Sequence, residues 1–321
     1  MPTLNSPILA ADAEAPLGHS FAFLGNAVLQ ELAEQADLLS GPLFSFAGDV
    51  AGSGSDTVRL RRYGGIGAAL GMTAMGSETA AIVPSGFTAN TNDLTIARYG
   101  LGFSESFQRA GIAGDGITLE FLAGTILQSY QRTILNLAHA HGATFATNKA
   151  DATATLDVDD WLNLAAGFTE TEGYDPAVHG LPQVMLHNVQ LTQLKASLRS
   201  ETALQYPEPF DTYQGVQPQA GFAFELAGMN AYTSTHVDSS GGDYAGYAVL
   251  PGGLIWAIMS TGTIPVTPGT EVVRVPELGL IVTRSTTGGQ ALNAVEGNAF
   301  IGVGSRDAAV QPKFLFKSNQ T

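Results

Sequence analysis

Two strand-like segments joined by a long connection of small residues constrain the fold of this chain more than any other feature. Residues 56–63 alternate in polarity as a strand does, and residues 87–99 form a second such segment with Leu94 and Ile96 in phase. The connection, residues 64–86, is dominated by Gly, Ala, Met, Ser and Thr. A connection of this length is unusual inside a compact domain. The pattern therefore predicts a hairpin that leaves the body of the protein and is ordered by a neighbouring molecule.

The first of these strands carries the most basic stretch of the chain. Its side chains divide between two faces, with Val58, Leu60 and Arg62 on one and Arg59, Arg61 and Tyr63 on the other. Because the formal net charge of the chain is −15, arginines on an extended hairpin would meet carboxylates on an adjacent copy. We therefore predict intersubunit contacts at Arg59, Arg61 and Arg62.

Composition points to a subunit of a larger assembly. Charged residues make up only 13% of the 321 residues, about half of the usual share. A monomer needs charge to cover its solvent-facing surface, whereas a subunit enclosed by neighbours needs less. The 38 glycines suit broad, closely apposed sheets and loops better than a compact enzyme core. The length allows one large domain or two smaller ones.

The acidic balance of the chain excludes several classes of protein. There are 29 acidic and 14 basic residues, whereas nucleic-acid binders present a basic face that displaces counterions from phosphates. This argues against sequence-specific nucleic-acid binding and against binding to an anionic membrane, but not against a container for DNA. The absence of cysteine removes disulfide and thiolate chemistry. The N-terminal residues lack the pattern of a signal peptide.

Helical periodicity is strongest over residues 117–141. Gly142 follows them and is predicted to end the helix as a C′ glycine. Its apolar stripe consists of Ile117, Phe121, Leu127, Tyr130, Ile134 and Leu137. Residues 1–20 are predicted to be an irregular arm, and residues 21–39 a helix that Gly41 and Pro42 stop. The stripe of that helix is formed by Leu24, Val28, Leu32 and Leu39.

The second half of the chain predicts an α+β fold. A helix starts near Asp157, and a compact apolar strand over residues 183–188 runs directly into another helix. A short strand is also predicted over residues 144–148. The later strands are predicted over residues 222–226, 229–235, 244–249, 254–260, 271–275, 280–284 and 300–303.

No motif in the chain demands catalysis or a cofactor. Residues 65–71 read GxGxxxG, but the preceding strand contains arginines where a dinucleotide-binding fold needs a continuously apolar strand, so a loop is favoured. There is no Gly-x-Ser-x-Gly motif, and residues 236–240 are interpreted as a polar turn. His139 and His141 point away from each other on a helix and cannot chelate one ion. The acidic residues Asp157, Asp159 and Asp160 are explained by helix capping. We therefore predict no catalytic, cofactor-binding or metal-binding residues and no enzyme.

The order of these segments resembles the major capsid proteins of tailed bacteriophages, which share the Hong Kong 97 phage fold. Residues 182–188 with Leu191 and Leu194 are similar to the strand and helix of the core of that family's A domain, and residues 157–162 to the helix start before it. The resemblance implies five parts in chain order. They are an N-arm and helix (1–46), an E-loop hairpin (47–100), the spine helix with the first part of the P domain (101–154), mainly the A domain (155–268), and the remaining P- and A-domain strands (269–321).

The resemblance implies a subunit that assembles with itself, as pentamers and hexamers, into an icosahedral shell around double-stranded DNA. It places the protein in the virion, with assembly in the host cytoplasm and with scaffolding, portal or decoration proteins as possible partners. The E-loop lysine that cross-links some family members is missing, since the only lysines are Lys149, Lys195, Lys313 and Lys317. The residues before the E-loop are also expected to be too few for the scaffolding extension of other members, which would imply a separate scaffolding protein or a chain already processed.

Three alternatives stay open from the sequence. An encapsulin-like compartment has the same fold but encloses cargo protein. An enzyme with an unrecognised site would be a monomer or a small oligomer. A tail-tube or baseplate protein is disfavoured by the solitary long helix.

Overall fold

The computed structural model describes residues 43–63, 89–106, 119–171, 173–201, 222–237, 239, 242–265, 271–287, 292–306 and 311–319. The predicted arm and first helix, the connection of residues 64–86, and the GxGxxxG segment lie outside these residues. Residues 117 and 118, the first two positions of the predicted long helix, also lie outside the described residues. Asp238 and Ser240 of the predicted polar turn lie outside them as well.

The described residues form an α+β fold. Its helices are α1 (Leu119–Gly142), α2 (Val158–Thr169), α3 (Pro176–His179) and α4 (Asn188–Glu201). Its strands are β1 (Phe44–Asp49), β2 (Thr57–Tyr63), β3 (Ala89–Thr95), β4 (Ala97–Ser106), β5 (Gln183–Leu186), β6 (Phe222–Leu226), β7 (Met229–Thr233), β8 (Asp243–Val249), β9 (Leu254–Ile258), β10 (Glu271–Val275), β11 (Leu280–Thr287), β12 (Leu292–Ser305) and β13 (Lys313–Asn319).

The first sheet has six strands and is organised around β12. The order is β1-β9-β12-β11-β10. β4 pairs with β12 over ten positions, along the same edge of β12 that pairs with β9 further along the strand. Within this sheet only the β1–β9 pair is parallel. The two strands lie far apart in the sequence, so a long stretch of chain separates β1 from its partner.

The long helix α1 packs on one face of the first sheet. Ile126, Tyr130 and Ile134 share a core with β9, β11 and β12, and the Tyr130 hydroxyl donates to the Leu278 carbonyl at 2.9 Å. A Cβ at Gly297 of β12 would touch Ile126, so this glycine lets the helix approach the sheet closely. The amphipathic stripe predicted for α1 is therefore confirmed at Tyr130 and Ile134, while Ile126 was not predicted to belong to it.

The second sheet has the order β13-β8-β5-β7-β6 and is covered on both faces. Helices α2 and α4 cover one face through Trp161, Leu164 and Leu194, all fully buried. The C-terminal end of α1 covers the other face, where Ala138 packs near Tyr247. Alternate residues of β5 and β8 thus face two different cores, as expected for a central strand pair.

Several local predictions are confirmed. Asp157 caps α2 by accepting from the Asp160 backbone N–H at 2.8 Å, and the Asp160 side chain accepts from the Asp157 N–H, which completes a capping box. The strands predicted over residues 222–226 and 271–275 match β6 and β10 at both ends.

Other local predictions are wrong. Residues 144–148 form only an isolated bridge from Asn148 to Leu315. The single strand predicted over residues 87–99 is interrupted within its described part, because the chain passes between two sheets at Ile96, whose N–H donates to the Asp56 carbonyl at 2.8 Å. Gly142 is the last helical residue and has no positive φ. Its lack of a side chain serves a close contact instead, since a Cβ there would overlap the Tyr247 ring.

Candidate assembly surface

The β2–β3 hairpin is the candidate site, and it grows from a buried root on the first sheet. Leu94 and Ile96 are buried against Ile255 and Ala257 of β9, with Val50 completing the cluster. The root lies on the face opposite α1, because residues 255 and 257 alternate with the helix-facing residues of β9. The hairpin is therefore anchored to the same sheet as the long helix.

Two glycines of β12 make room for this root. A Cβ at Gly302 would clash with the carbonyl of Thr95, and one at Gly304 would clash with the Leu94 side chain. Larger residues at either position would push the hairpin off the sheet. The high glycine content of the sequence suggested closely apposed surfaces. At Gly302 and Gly304 the two apposed surfaces belong to the same chain.

Beyond the root, the hairpin is a two-stranded ribbon. β2 pairs with β3 in antiparallel register from Thr57 opposite Thr95 to Tyr63 opposite Ala89, and neither strand pairs with any other described strand. Val58 and Leu60 turn toward the root cluster, whereas Arg59 on the other face is exposed. The alternation predicted for this strand is confirmed at these positions. A lone ribbon of two strands is at best marginally stable in water.

Arg59 has a partner within its own hairpin. It stands directly opposite Asp93, and its Nε and Nη2 atoms each donate to one oxygen of that carboxylate at 2.9 Å. This paired geometry raises the pKa of Arg59 above its ordinary value and lowers the pKa of Asp93. Both side chains are about half exposed, at 59% and 44%. The sequence prediction missed Asp93, although its place in a polar strand opposite a basic one was a usable signal.

The other two predicted arginines are placed by backbone register alone. Arg61 lies opposite Thr91, and Arg62 lies opposite Asn90. Both of these register partners are uncharged, unlike Asp93 opposite Arg59. The predicted intersubunit contacts of all three arginines stay a prediction.

Residues weighed for catalysis or metal binding are placed in structural roles. His139 is buried, and its Nδ1 and Nε2 atoms lie 3.1 Å from the Tyr247 hydroxyl and 3.2 Å from Ser234 Oγ. Burial first, and then His236 nearby, lowers the pKa of His139 to about 4. The side chain is therefore neutral at pH 7. Burial also lowers the pKa of His141, which bonds to Ser305 Oγ at 2.8 Å.

Among the described residues, no group of three or more His, Cys, Asp or Glu side chains could hold a metal ion. Within the same residues, no helix is long and apolar enough to cross a membrane. A small cavity between α1 and β4 is lined by Tyr99, Ser129, Tyr130 and Thr133 among others. The ribbon is therefore taken as the candidate site.

Comparison with known proteins gives a clear result for the fold. No protein-family model matches the chain, and no curated protein matches it. The head structure of Helicobacter pylori bacteriophage KHP40 is similar with a TM-score of 0.57 and 10% identity, over 88% of this chain and 91% of that one. The capsid of Ralstonia phage GP4 is similar with a TM-score of 0.53 and 10% identity, over 86% of both chains.

The capsid structure of the Cyanophage P-SCSP1u is similar with a TM-score of 0.52 and 8% identity, over 86% of this chain and 87% of that one. At such low identity the likeness establishes the fold alone. The chain shares an α+β fold with phage capsid structures over most of its length.

Proposed function

We propose that this chain is the major capsid protein of a tailed bacteriophage, which assembles with copies of itself into an icosahedral head around double-stranded DNA. The observation that carries the proposal is the coverage of the structural likeness, 86–91% of both chains in the three comparisons. A likeness of this extent leaves no large part of the chain for a separate catalytic domain. On this proposal the protein is a structural component of the virion, assembled in the host cytoplasm, and not an enzyme.

The proposal assigns a role to each predicted part. Residues 1–46 would be the N-arm, 47–100 the E-loop, and 101–154 the spine helix with the start of the P domain. Residues 155–268 would be mainly the A domain, and 269–321 the remaining strands. The assignment is supported by α1, which joins the two sheets, and by the ribbon, which projects from the first of them. A rigid body with a projecting ribbon suits a subunit that must reach its neighbours.

Assembly would follow from closed symmetry, with pentamers and hexamers built from one chain. The ribbon would lie on an adjacent subunit, where Arg59, Arg61 and Arg62 would meet carboxylates of that acidic chain. Each exposed pair contributes little, but the contact recurs in every copy of the shell. Scaffolding, portal and decoration proteins are possible further partners.

The packaged DNA would be enclosed rather than recognised by its sequence. The net charge of −15 keeps the wall from binding phosphates tightly. A weakly adhering wall lets DNA be packed and released.

Electron microscopy of the purified recombinant protein tests the proposal directly. We expect closed shells or rings of five and six subunits, with sedimentation showing the same species. A monodisperse monomer under all salt and crowding conditions would contradict the proposal. Closed shells that hold a specific cargo protein after expression in a bacterial host would instead indicate an encapsulin-like compartment.

A further inference from the structure

A polar seam joins the two sheets at the C-terminal end of α1. His141, in the last turn of the helix, places its Nε2 atom 2.8 Å from Ser305 Oγ, at the end of β12 in the first sheet. Lys313, the first residue of β13 in the second sheet, places its Nζ atom 2.8 Å from the same oxygen. One hydroxyl thus links the helix to both sheets, and we call His141, Ser305 and Lys313 the seam.

The seam is largely shielded from water. Ser305 is 3% exposed, and His141 and Lys313 are half-buried. The buried Phe145 ring closes one side, since the His141 ring packs against it edge-on at 5.8 Å and the Lys313 Nζ atom lies 5.1 Å from its centre. In such a site the groups of the seam itself determine which hydrogen bonds form.

The ammonium group of Lys313 determines the direction of these hydrogen bonds. An ammonium group only donates, so Lys313 donates to Ser305 Oγ and, at 2.9 Å, to the carbonyl of Arg306. The hydroxyl proton of Ser305 then points away from Lys313, and the Nε2 atom of His141 lies within reach as its acceptor. A nitrogen accepts only when it carries no proton. The closed seam therefore favours a neutral His141 with its proton on Nδ1.

The groups around His141 do not compensate an added proton. Burial first, and then Lys313, lowers the pKa of His141 below its ordinary value. Arg306, which follows Ser305 at the end of β12, is also basic. The titratable groups nearby on α1 and β8 are His139 and Tyr247, whose side chains contact each other. None of these described groups is a carboxylate, so a protonated His141 would meet positive charge.

We propose that the seam is an acid-sensitive latch between the two sheets. At neutral pH, an uncharged His141 accepts from Ser305 and holds the end of α1 against the ends of β12 and β13. Once His141 takes up a proton, it and Lys313 are two cations on one hydroxyl, and the end of α1 separates from these strands. Each sheet keeps a core of its own beyond the seam, so the latch opens without unfolding either sheet. This inference concerns contacts within one subunit and does not depend on shell formation.

The direction of the pH dependence follows from the lowered pKa of His141. In the open latch this pKa is about 6.5, and in the closed latch it is lower. Below pH 6.5 the open form binds a proton that the closed form refuses, so the closed form loses stability as the pH falls. Between the two pKa values, each pH unit lowers the ratio of closed to open latch by up to about tenfold.

Hydrogen–deuterium exchange of the full-length protein, read by mass spectrometry at pH 7 and pH 5, tests the latch. The rates are corrected for the intrinsic pH dependence of amide exchange. The reporting amides are those of Phe145 and Leu315, which donate to the carbonyls of Gly142 and Thr147 beside the seam. The reference is β5, in the middle of the second sheet. Sedimentation at both pH values verifies that the assembly state is the same.

A conservative change at His141 removes the proton and keeps the hydrogen bond. In His141→Gln the side-chain carbonyl still accepts from Ser305 but takes up no proton. The matched control is His179→Gln, the same change at an exposed histidine. In the unchanged protein and in the control, we expect the reporting amides to exchange about tenfold faster at pH 5 than at pH 7, with β5 unchanged. His141→Gln should show no such rise.

A second variant tests whether charge opens the latch. Lys313→Met removes the cation and keeps an apolar chain against Phe145, so a protonated His141 can donate to Ser305 instead. The rise at pH 5 should therefore shrink. Lys317→Met, the same change on the same strand at a residue that pairs with Asp243, should keep the full rise.

Four outcomes would overturn the inference. The first is no rise at pH 5 in the unchanged protein. An equal rise in the unchanged protein and in His141→Gln would assign the pH response to other groups, such as His139. A rise that includes β5 to the same extent would show loss of the whole fold rather than opening of a latch. A full rise in Lys313→Met would show that the charge of Lys313 plays no part.

Discussion

The β2–β3 ribbon and the second sheet differ in how much of their surface this chain can bury. The second sheet is covered on both faces, by α2 and α4 on one and by the end of α1 on the other. The ribbon has a buried root at Leu94 and Ile96, but it pairs with no third strand among the described residues. The second sheet is therefore covered within one chain, whereas the ribbon has no third strand among the described residues and, on our proposal, is covered by a neighbouring copy.

The two regions also treat polar groups differently. Against the second sheet, Gln190 of α4 is fully buried, and its amide nitrogen lies 3.0–3.1 Å from three acceptors, the carbonyl oxygens of Tyr244 and Phe316 and Ser318 Oγ, among which its two N–H groups are shared. In the ribbon, Arg59 and Asp93 pair at the surface with both side chains about half exposed to water. Buried polar networks specify a fold, while exposed pairs are free to exchange partners. The difference predicts that substitutions in the second sheet unfold the subunit and that those in the ribbon affect assembly.

Two leucines on α2 give the largest expected effect. Leu164 is fully buried and Leu162 is 51% exposed, so Leu164→Asp and Leu162→Asp are the same change on the same helix. The first places an unpaired carboxylate in the core and should lower the free energy of unfolding by about 5 kcal/mol, while the second should change it by less than about 1 kcal/mol. Urea unfolding of the dissociated subunit measures both. Equal losses would show that α2 does not pack as described.

Gln190→Leu should follow in size. The substitution keeps the volume but removes the acceptor of the His187 N–H, at 3.0 Å, and the donor that joins β8 to β13. Buried groups left without partners each cost about 1–3 kcal/mol, so we expect a total loss of about 4 kcal/mol. Thr192→Val, at an exposed position of α4, is the control. A loss no greater than that of the control would mean that water replaces the amide.

His139 predicts a pH dependence of stability. Its pKa is about 4 in the folded protein and about 6.5 in the unfolded chain. Below pH 6.5 the unfolded state binds a proton that the folded state refuses, so stability falls as the pH drops and the loss is complete near pH 4. The difference in pKa corresponds to about 3 kcal/mol.

The measurement is a pair of urea titrations at pH 7 and pH 4 on the unchanged protein and on His139→Gln. Between pH 7 and pH 4 the free energy of unfolding of the variant should fall by about 3 kcal/mol less than that of the unchanged protein. Among the described residues, the groups that contact or act on His139 are Tyr247, Ser234 and His236, and none of these is a carboxylate that could compensate the charge. An identical pH dependence in both proteins would contradict this assignment.

The sequence predicts best where one element determines its own boundaries. The ends of β6 and β10 follow from local pattern, and the start of α2 follows from the spacing of Asp157 and Asp160. It fails where a strand exists only because of a distant partner. β1 and β13 were not predicted, and their partners lie more than 60 residues away in sequence.

The site was predicted in the same uneven way. Alternation in β2 correctly separated Arg59 from Val58 and Leu60, because alternation is a local property. The pairing of Arg59 with Asp93 depends on the register of the two strands, which a long connection does not determine. Likewise, no local pattern distinguishes a buried His139 from an exposed histidine near a helix end.

The smallest expected effect on the subunit, and the sharpest test of the ribbon, is an exchange of the charged pair. Arg59→Asp alone would place two carboxylates directly opposite each other and disturb the ribbon itself. Combining it with Asp93→Arg restores the pair in the opposite order, so the free energy of unfolding should stay unchanged. If the arginine is recognised by carboxylates of an adjacent copy, the exchanged protein should fold normally by circular dichroism but form few particles by sedimentation. Normal particles across a range of salt concentrations would show that the pair only joins β2 to β3, and that the ribbon finds its partner through other residues.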